Sequence, residues 1–165
     1  MITVKVNGEE RQYPQGATYE DVANDYQKEY DNLIALAARD GKIRELFKKL
    51  TRDCEITFFT LKDDVGNKTY VRSATMLFLK AVFDVFGRET VQNCRVEFAI
   101  GNGSYISPKG KINATEENAA KIRNRMRELV EAKTPFLKKS YSLDNAMELF
   151  RREGMKDKEK LFRYR

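Results

Sequence analysis

The sequence contains no histidine and only two cysteines among its 165 residues. Without imidazole, this chain can form no Ser–His or Cys–His nucleophile pair of its own. Cys54 and Cys94 do not form a Cys-x-x-Cys pair, so no zinc site is expected. Both lie in apolar, strand-like runs, which favours buried, reduced thiols. We therefore predict no metal and no catalytic residue in this chain.

Long apolar segments and targeting signals are also lacking. No apolar run approaches the ~20 residues that cross a bilayer. The N-terminus has no basic-then-apolar signal layout, so we expect a cytoplasmic protein with no membrane partner. A phosphate-binding loop of the form G-x-x-x-x-G-K-[ST] is missing as well. We accordingly expect no cofactor in this chain.

Positive charge is present and unevenly distributed. The chain has a net charge of +6; residues 62–165 carry 22 Lys+Arg against 14 Asp+Glu, whereas residues 1–61 carry 9 against 11. A basic second half is compatible with phosphate-bearing partners such as RNA. An ordinary solvated surface is equally compatible with a surplus of this size.

Residues 1–61 alternate between strand patterns and turn signals. Asn7-Gly8 and Asp40-Gly41 favour two-residue hairpin turns. Thr18 is suited to cap a helix, because acids follow in its first turn. The predicted elements are strands over 2–6 and 9–13, a helix over 19–26, strands over 33–38 and 43–47, and a strand over 54–61.

This first part resembles the TGS domain, a small β-grasp (ubiquitin-like) module. The matching residues are the opening hairpin, Pro14, Gly16, Thr18, Asp21, Val22 and Ala23 in PQGATYEDVA, and the strand pair LIALAARDGKIREL. The resemblance implies that residues 1–61 form a β-grasp domain. It also implies a regulatory or ligand- or RNA-binding role rather than catalysis.

The second part is organised around an apolar helix predicted over residues 71–87. Its apolar positions form two adjoining stripes at helical spacing, interrupted only by Lys80 and Asp84. A helix that is apolar almost all round is buried, so we expect an α+β domain with this helix packed centrally on an antiparallel sheet. Residues 62–68 are predicted to be a polar connector and the domain boundary.

Downstream of that helix, the pattern predicts strands and further helices. The first strand, over 94–100, is expected to place Val96, Phe98 and Ile100 on one face. The other predicted elements are a strand over 104–107, a helix over 116–133, a short strand over 136–140 and a helix over 143–153. Four of the cations in the helix over 116–133 are either a solvated face or a nucleic-acid contact: Lys121, Arg123, Arg125 and Arg127.

Residues 62–165 are similar to the second additional domain of threonyl-tRNA synthetase, which follows the TGS domain in that enzyme. The matching features are Ser73, Leu77, Ala81 and Val82 in the apolar helix, the segments FAIGNGSYI and TEENAAKIRNRMREL, and Ser142, Ala146, Phe150 and Gly154 in SLDNAMELFRREG. The resemblance implies an editing-type domain, here truncated and degenerate.

The departures from this family concern its chemistry. The family's helix begins with H-x-x-x-H, which this chain replaces with Arg72 and Met76. Neither side chain is a general base or a zinc ligand near neutral pH. The family's second Cys/His motif would lie beyond Arg165. We therefore predict that the chain does not hydrolyse aminoacyl esters.

The cleft of that family would become a ligand pocket in this chain. The candidate ligand-binding residues are Arg72, Ser73, Met76, Lys80, Asn102 and Tyr105. An arginine would hold phosphate or carboxylate through its planar fork. A plain exposed position for Arg72 is at least as compatible with the sequence.

The substituted pattern is similar to bacterial uridine (nucleoside) kinase-like proteins, in which both domains precede a P-loop kinase domain. That resemblance implies a non-catalytic regulatory or ligand-binding N-terminal segment. The kinase domain in cis would then bind ATP and Mg²⁺, and the ligand of this chain would be a nucleotide or nucleoside. The alternatives are an RNA- or tRNA-binding module, or a fragment of a threonyl-tRNA synthetase-like editing protein, including a hydrolase that uses Lys80 and Asp84.

Overall fold

The computed structural model describes residues 1–101, 103–108 and 113–164. The chain divides into two compact units, Met1–Met76 and Leu77–Arg165. The elements that begin in the first unit are β1 (Ile2–Val6), β2 (Glu9–Tyr13), α1 (Tyr19–Tyr26), β3 (Ile34–Arg39), β4 (Lys42–Arg44), β5 (Cys54–Thr60) and α2 (Asp64–Phe86). Those of the second unit are α3 (Arg88–Asn93), β6 (Cys94–Ile100), β7 (Gly103–Pro108), α4 (Glu116–Glu131), α5 (Leu143–Arg152) and α6 (Lys156–Phe162).

The first unit is a mixed five-stranded sheet in the order β2-β1-β5-β3-β4. β1 and β5 are parallel at the centre, and the other pairs are antiparallel. The helix α1 connects the two hairpins, and its buried side chains pack against the sheet in one core that includes Val4, Tyr19, Val22, Ile56 and Phe58. This is the β-grasp arrangement, so the predicted α+β class is confirmed.

Local chemistry explains why these elements form. Asn7 and Gly8 both have positive φ, 51° and 88°, as a tight hairpin turn requires. Thr18 accepts a hydrogen bond from the backbone N–H of Asp21, whose carboxylate accepts one from the backbone N–H of Thr18. This reciprocal pair starts α1 at the predicted residue.

The start of α2 differs from the prediction. We expected residues 62–68 to be a polar connector, but α2 begins at Asp64. The carbonyl of Asp63 accepts a hydrogen bond from the backbone N–H of Asn67 at 2.8 Å, which is the bond expected in the first turn of a helix. Gly66, within the predicted connector, lies in the helix and is buried against the backbone of Thr60. The division into domains over 1–61 and 62–165 stays a prediction.

The expectation that this helix is buried nearly all round is wrong. Met76 is 59% exposed and Phe83 45%, whereas Ala81 and Val82 are buried. In the described part of the second unit, the only sheet is the two-stranded pair of β6 and β7. A two-stranded sheet offers little apolar area, and the apolar side chains of Met76 and Phe83 stay in solvent.

The register of β6 with β7 also places the side chains of β6 differently from the prediction. Val96 pairs with Ile106, but Phe98 pairs with Tyr105, so the register shifts between Val96 and Phe98. Such a shift reverses the side-chain alternation, and Val96 and Phe98 therefore point to opposite faces. The prediction of one shared face is wrong for this reason.

The C-terminal elements follow the sequence pattern in part. Thr115 and Ser142 cap α4 and α5, because the hydroxyl of each accepts a hydrogen bond from a backbone N–H in the first turn of its helix. The strand expected over 136–140 is absent from the described structure. The ring of Phe162 lies 5.2 Å from that of Phe150, which packs α6 on α5. No described helix is long and apolar enough to cross a membrane.

Candidate functional site

Three predicted ligand residues lie in the first unit, on α2. Arg72 and Met76 are one helical turn apart, and both are exposed. Within the described residues, no carboxylate forms an ion pair with Arg72. The hydroxyl of Ser73 donates to the carbonyl of Thr69 at 3.1 Å, one turn back along the helix. These side chains offer a cation and weak acceptors but no general base.

Ser73 is one of the residues that line a cavity of about 310 Å³ in the first unit. Its polar lining includes Glu20, Asn24 and Gln27 from the region of α1. The amide of Gln27 is already used, because its Nε2 donates to the carbonyl of Asn32 at 3.0 Å and its Oε1 accepts the N–H of Ile34 at 2.9 Å. The cavity therefore contains hydrogen-bonding groups without a paired acid and base.

The other predicted ligand residues belong to the second unit. Lys80 forms an ion pair with Asp84 one turn away. Tyr105 is 48% exposed, and its ring stacks on Phe98 at a centroid distance of 5.2 Å. Asn102 lies outside the described residues. The single pocket expected from the sequence stays a prediction.

Asp84 is the centre of the clearest charge cluster in the second unit. Besides Lys80, it accepts a hydrogen bond from Nε of Arg125 at 2.9 Å, and Arg125 also contacts Glu128 at 2.8 Å. The hydrogen bond from Lys80, with that from Arg125, lowers the pKa of Asp84 below its usual value. A carboxylate stabilised in its ionised form is a weak base, so this geometry favours a structural ion pair over catalysis.

Most of the cations predicted to contact nucleic acid have acidic partners. Lys121 contacts Glu117 at 2.7 Å, and Arg123 lies 3.5 Å from Glu116. Arg125 belongs to the Asp84 cluster. Arg127 is exposed and, within the part of the chain that the structure describes, has no carboxylate partner. Their contact with nucleic acid stays a prediction.

A larger cavity, of about 470 Å³, lies in the second unit. Its wall is mainly apolar and includes Phe78, Val82, Ile106, Ile122 and Met126. Cys94 also lines it, and burial raises the pKa of this thiol, which therefore remains protonated near neutral pH. Of the predicted ligand residues that the structure describes, none lines this cavity.

Comparison with known proteins shows similarity to the N-terminal region of threonine–tRNA ligases. The chain is 29% identical to the threonine–tRNA ligase of Thermotoga maritima over 160 residues, which is 94% of this chain and 24% of that protein. It is 29% identical to that of Maricaulis maris over 164 residues and 26% identical to that of Pelagibacter ubique over 154 residues. The corresponding shares are 99% and 93% of this chain, against 25% and 24% of those proteins.

The chain thus spans about a quarter of the length of the curated relatives that it matches. No family model matches the chain. These relatives give no support to a nucleoside-kinase parent.

Proposed function

We propose that this chain is a non-catalytic tRNA-binding module related to the N-terminal region of threonine–tRNA ligases. The observation that carries the proposal is the similarity to these proteins along 94% of the chain. Their names connect them with tRNA, an anionic partner. The excess of 22 Lys+Arg over 14 Asp+Glu in residues 62–165 has the complementary sign.

The non-catalytic part of the proposal is supported by the residues on α2. Arg72 and Met76 stand where the resemblance implies two histidines, and Asp84 is paired with two cations. Hydrolysis of an aminoacyl ester needs a base or a metal to activate water. Within the described residues, no group of three or more His, Cys, Asp and Glu is placed to hold a metal ion.

Two measurements on the same protein test the proposal. Fluorescence anisotropy with labelled tRNA at 50 mM salt is expected to give saturable binding, and an excess of unlabelled tRNA is expected to displace it. Incubation with Ser-tRNA is expected to leave the rate of ester hydrolysis at that of buffer. Failure to bind tRNA would remove the proposed function, whereas accelerated hydrolysis would refute only its non-catalytic part.

The nucleoside-kinase reading predicts a different ligand. If it held, uridine or a nucleotide would raise the melting temperature of the chain, and Arg72→Ala would abolish that increase. We expect no such shift, because the similar proteins are tRNA ligases. A reproducible increase that depends on Arg72 would favour the kinase reading instead.

A further inference from the structure

The chain between α4 and α5 forms an exposed segment that is neither helix nor strand. We call residues 132–142 the basic aromatic segment. Phe136 is 59% exposed, Leu137 80% and Tyr141 52%. The segment contains three lysines and no aspartate or glutamate. Exposed aromatic rings interleaved with cations are typical of surfaces that bind single-stranded nucleic acid.

The backbone at the start of this segment is strained. Lys133 has φ +48°, in the left-handed region that favours glycine. Its N–H donates to the carbonyl of Val130, and the N–H of Thr134 donates to that of Leu129, a helix ending in which glycine is usual. The other non-glycine residues with positive φ in the described chain, Asn7 and Asp40, are turn formers. A lysine here is therefore unfavourable for folding, and its presence needs an explanation other than stability.

Two of the three lysines of the segment are available to a ligand. Lys133 and Lys139 are exposed, and within the described residues neither has a carboxylate partner. On α4, by contrast, Lys121 and Arg125 are neutralised by nearby acids. Two lysines without a carboxylate partner thus lie in the same segment as the exposed rings.

We infer that the basic aromatic segment binds single-stranded RNA. Phe136 and Tyr141 stack on bases, and Lys133 and Lys139 contact phosphates. The inference rests on the proposed tRNA-binding function and adds the site and the strandedness of the RNA. Stacking tolerates any base, because every base has a π-face, so the segment recognises an unpaired strand rather than a sequence.

The first test removes the rings. The affinity of the full chain for a fluorescent 12-nucleotide oligouridylate is measured for the unaltered protein, Phe136→Ala and Tyr141→Ala. Each variant is expected to lose about five-fold or more in affinity. Tyr164→Ala, which removes a ring that is 84% exposed outside the segment, is the matched control and is expected to bind as before.

The second test separates function from stability. Lys133→Gly relieves the left-handed backbone and removes a cation, so it is expected to raise the melting temperature and weaken oligouridylate binding. It should also reduce the slope of log affinity against log salt by about 0.7. A merely structural lysine would give the higher melting temperature with unchanged affinity, and that result would overturn the inference.

The remaining outcomes are equally decisive. If tRNA binds but the ring variants hold oligouridylate as tightly as the unaltered chain, this site is wrong while the proposed function stands. If the ring variants change only the sedimentation coefficient, the segment is a protein interface and the inference fails. If the unaltered chain binds neither RNA, the proposed function itself is refuted.

Discussion

Gly66 lies where α2 closely approaches the end of β5. A Cβ at this position would lie 2.0 Å from the carbonyl oxygen of Thr60 and 2.8 Å from its carbonyl carbon. Asp63 stabilises the same junction. Its Oδ2 accepts a hydrogen bond from the backbone N–H of Thr60 at 2.7 Å and another from the hydroxyl of Thr60 at 2.9 Å. A helical glycine normally costs about 1 kcal/mol relative to alanine, but here only glycine leaves room for the strand.

Replacing Gly66 with alanine is expected to destabilise the chain despite the better helix propensity of alanine. The added methyl group must displace backbone, which costs about 1–3 kcal/mol. Urea denaturation measures the change in the free energy of unfolding. Asn67→Ala, at the exposed neighbouring position, is the control and is expected to change it by less than about 0.5 kcal/mol. A stabilised Gly66→Ala variant would contradict the packing described for this junction.

Asp84 is expected to make stability depend on pH in the acidic range. Its pKa is lowered first by the hydrogen bond from Lys80 and also by that from Arg125, and Glu128 is the other charged group at the cluster. The pKa of an aspartate in the unfolded chain is about 3.9. Because the folded pKa is lower, the stabilisation is complete above that value and is lost as the pH falls through the folded pKa.

The variant Asp84→Asn tests this linkage. Between pH 5 and pH 3, in the range of the unfolded aspartate pKa of about 3.9, the melting temperature of the unaltered chain is expected to fall more steeply than that of the variant. Asp31→Asn, which changes an exposed carboxylate outside the cluster, is expected to follow the unaltered chain. Identical pH profiles for all three proteins would show that the cluster contributes nothing.

Among the elements, α1 illustrates how a short sequence signal determines a helix start. Thr18 and Asp21 exchange hydrogen bonds, and the hydroxyl of Thr18 also donates to Oδ2 of Asp21 at 2.9 Å. Thr18→Ala is expected to reduce the free energy of unfolding by about 1 kcal/mol, because the backbone N–H of Asp21 loses its acceptor and the carboxylate of Asp21 loses a hydroxyl donor. Asn24→Ala, on the exposed side of the same helix, is expected to be neutral or slightly stabilising. Equal unfolding curves for Thr18→Ala and the unaltered chain would contradict this role.

The sequence predicted those elements whose signals are local. Thr18 and the hairpin turn at Asn7-Gly8 act on their immediate neighbours, so the elements of the β-grasp unit could be assigned from the sequence. The start of α2 was placed too late, and the role of Gly66 could not be assigned, because it depends on contact with Thr60 and contact between elements leaves no periodic pattern. The register shift between Val96 and Phe98 was missed for the same reason, since the pattern does not reveal an extra residue in one strand.

The candidate site was predictable to a similar extent. The spacing of Lys80 and Asp84 places them one helical turn apart, and in the structure they form an ion pair. The third member, Arg125, lies 41 positions away and could not be assigned, because charge patterns do not specify which distant helices meet. The segment over 136–140 was predicted to be a short strand, but in the described structure it pairs with no other strand, and the sequence alone does not specify such a partner.

At the scale of the whole chain, a slightly acidic first part is followed by a basic second part. Of the 31 Lys+Arg residues, 22 lie in residues 62–165. Some of this charge is neutralised internally, as at Asp84 and Glu117, and the remainder is available to an anionic partner. The central claim is therefore that the chain binds tRNA through phosphate contacts without acting on it chemically.

The salt dependence of tRNA affinity tests that claim most directly. Anisotropy titrations with labelled tRNA between 50 and 200 mM salt give the slope of log affinity against log salt. Phosphate contacts predict a linear fall with a slope of about −0.7 to −0.9 for each contact, depending on whether the RNA is single- or double-stranded. No binding at 50 mM salt, or binding that does not change across this range, would contradict the account.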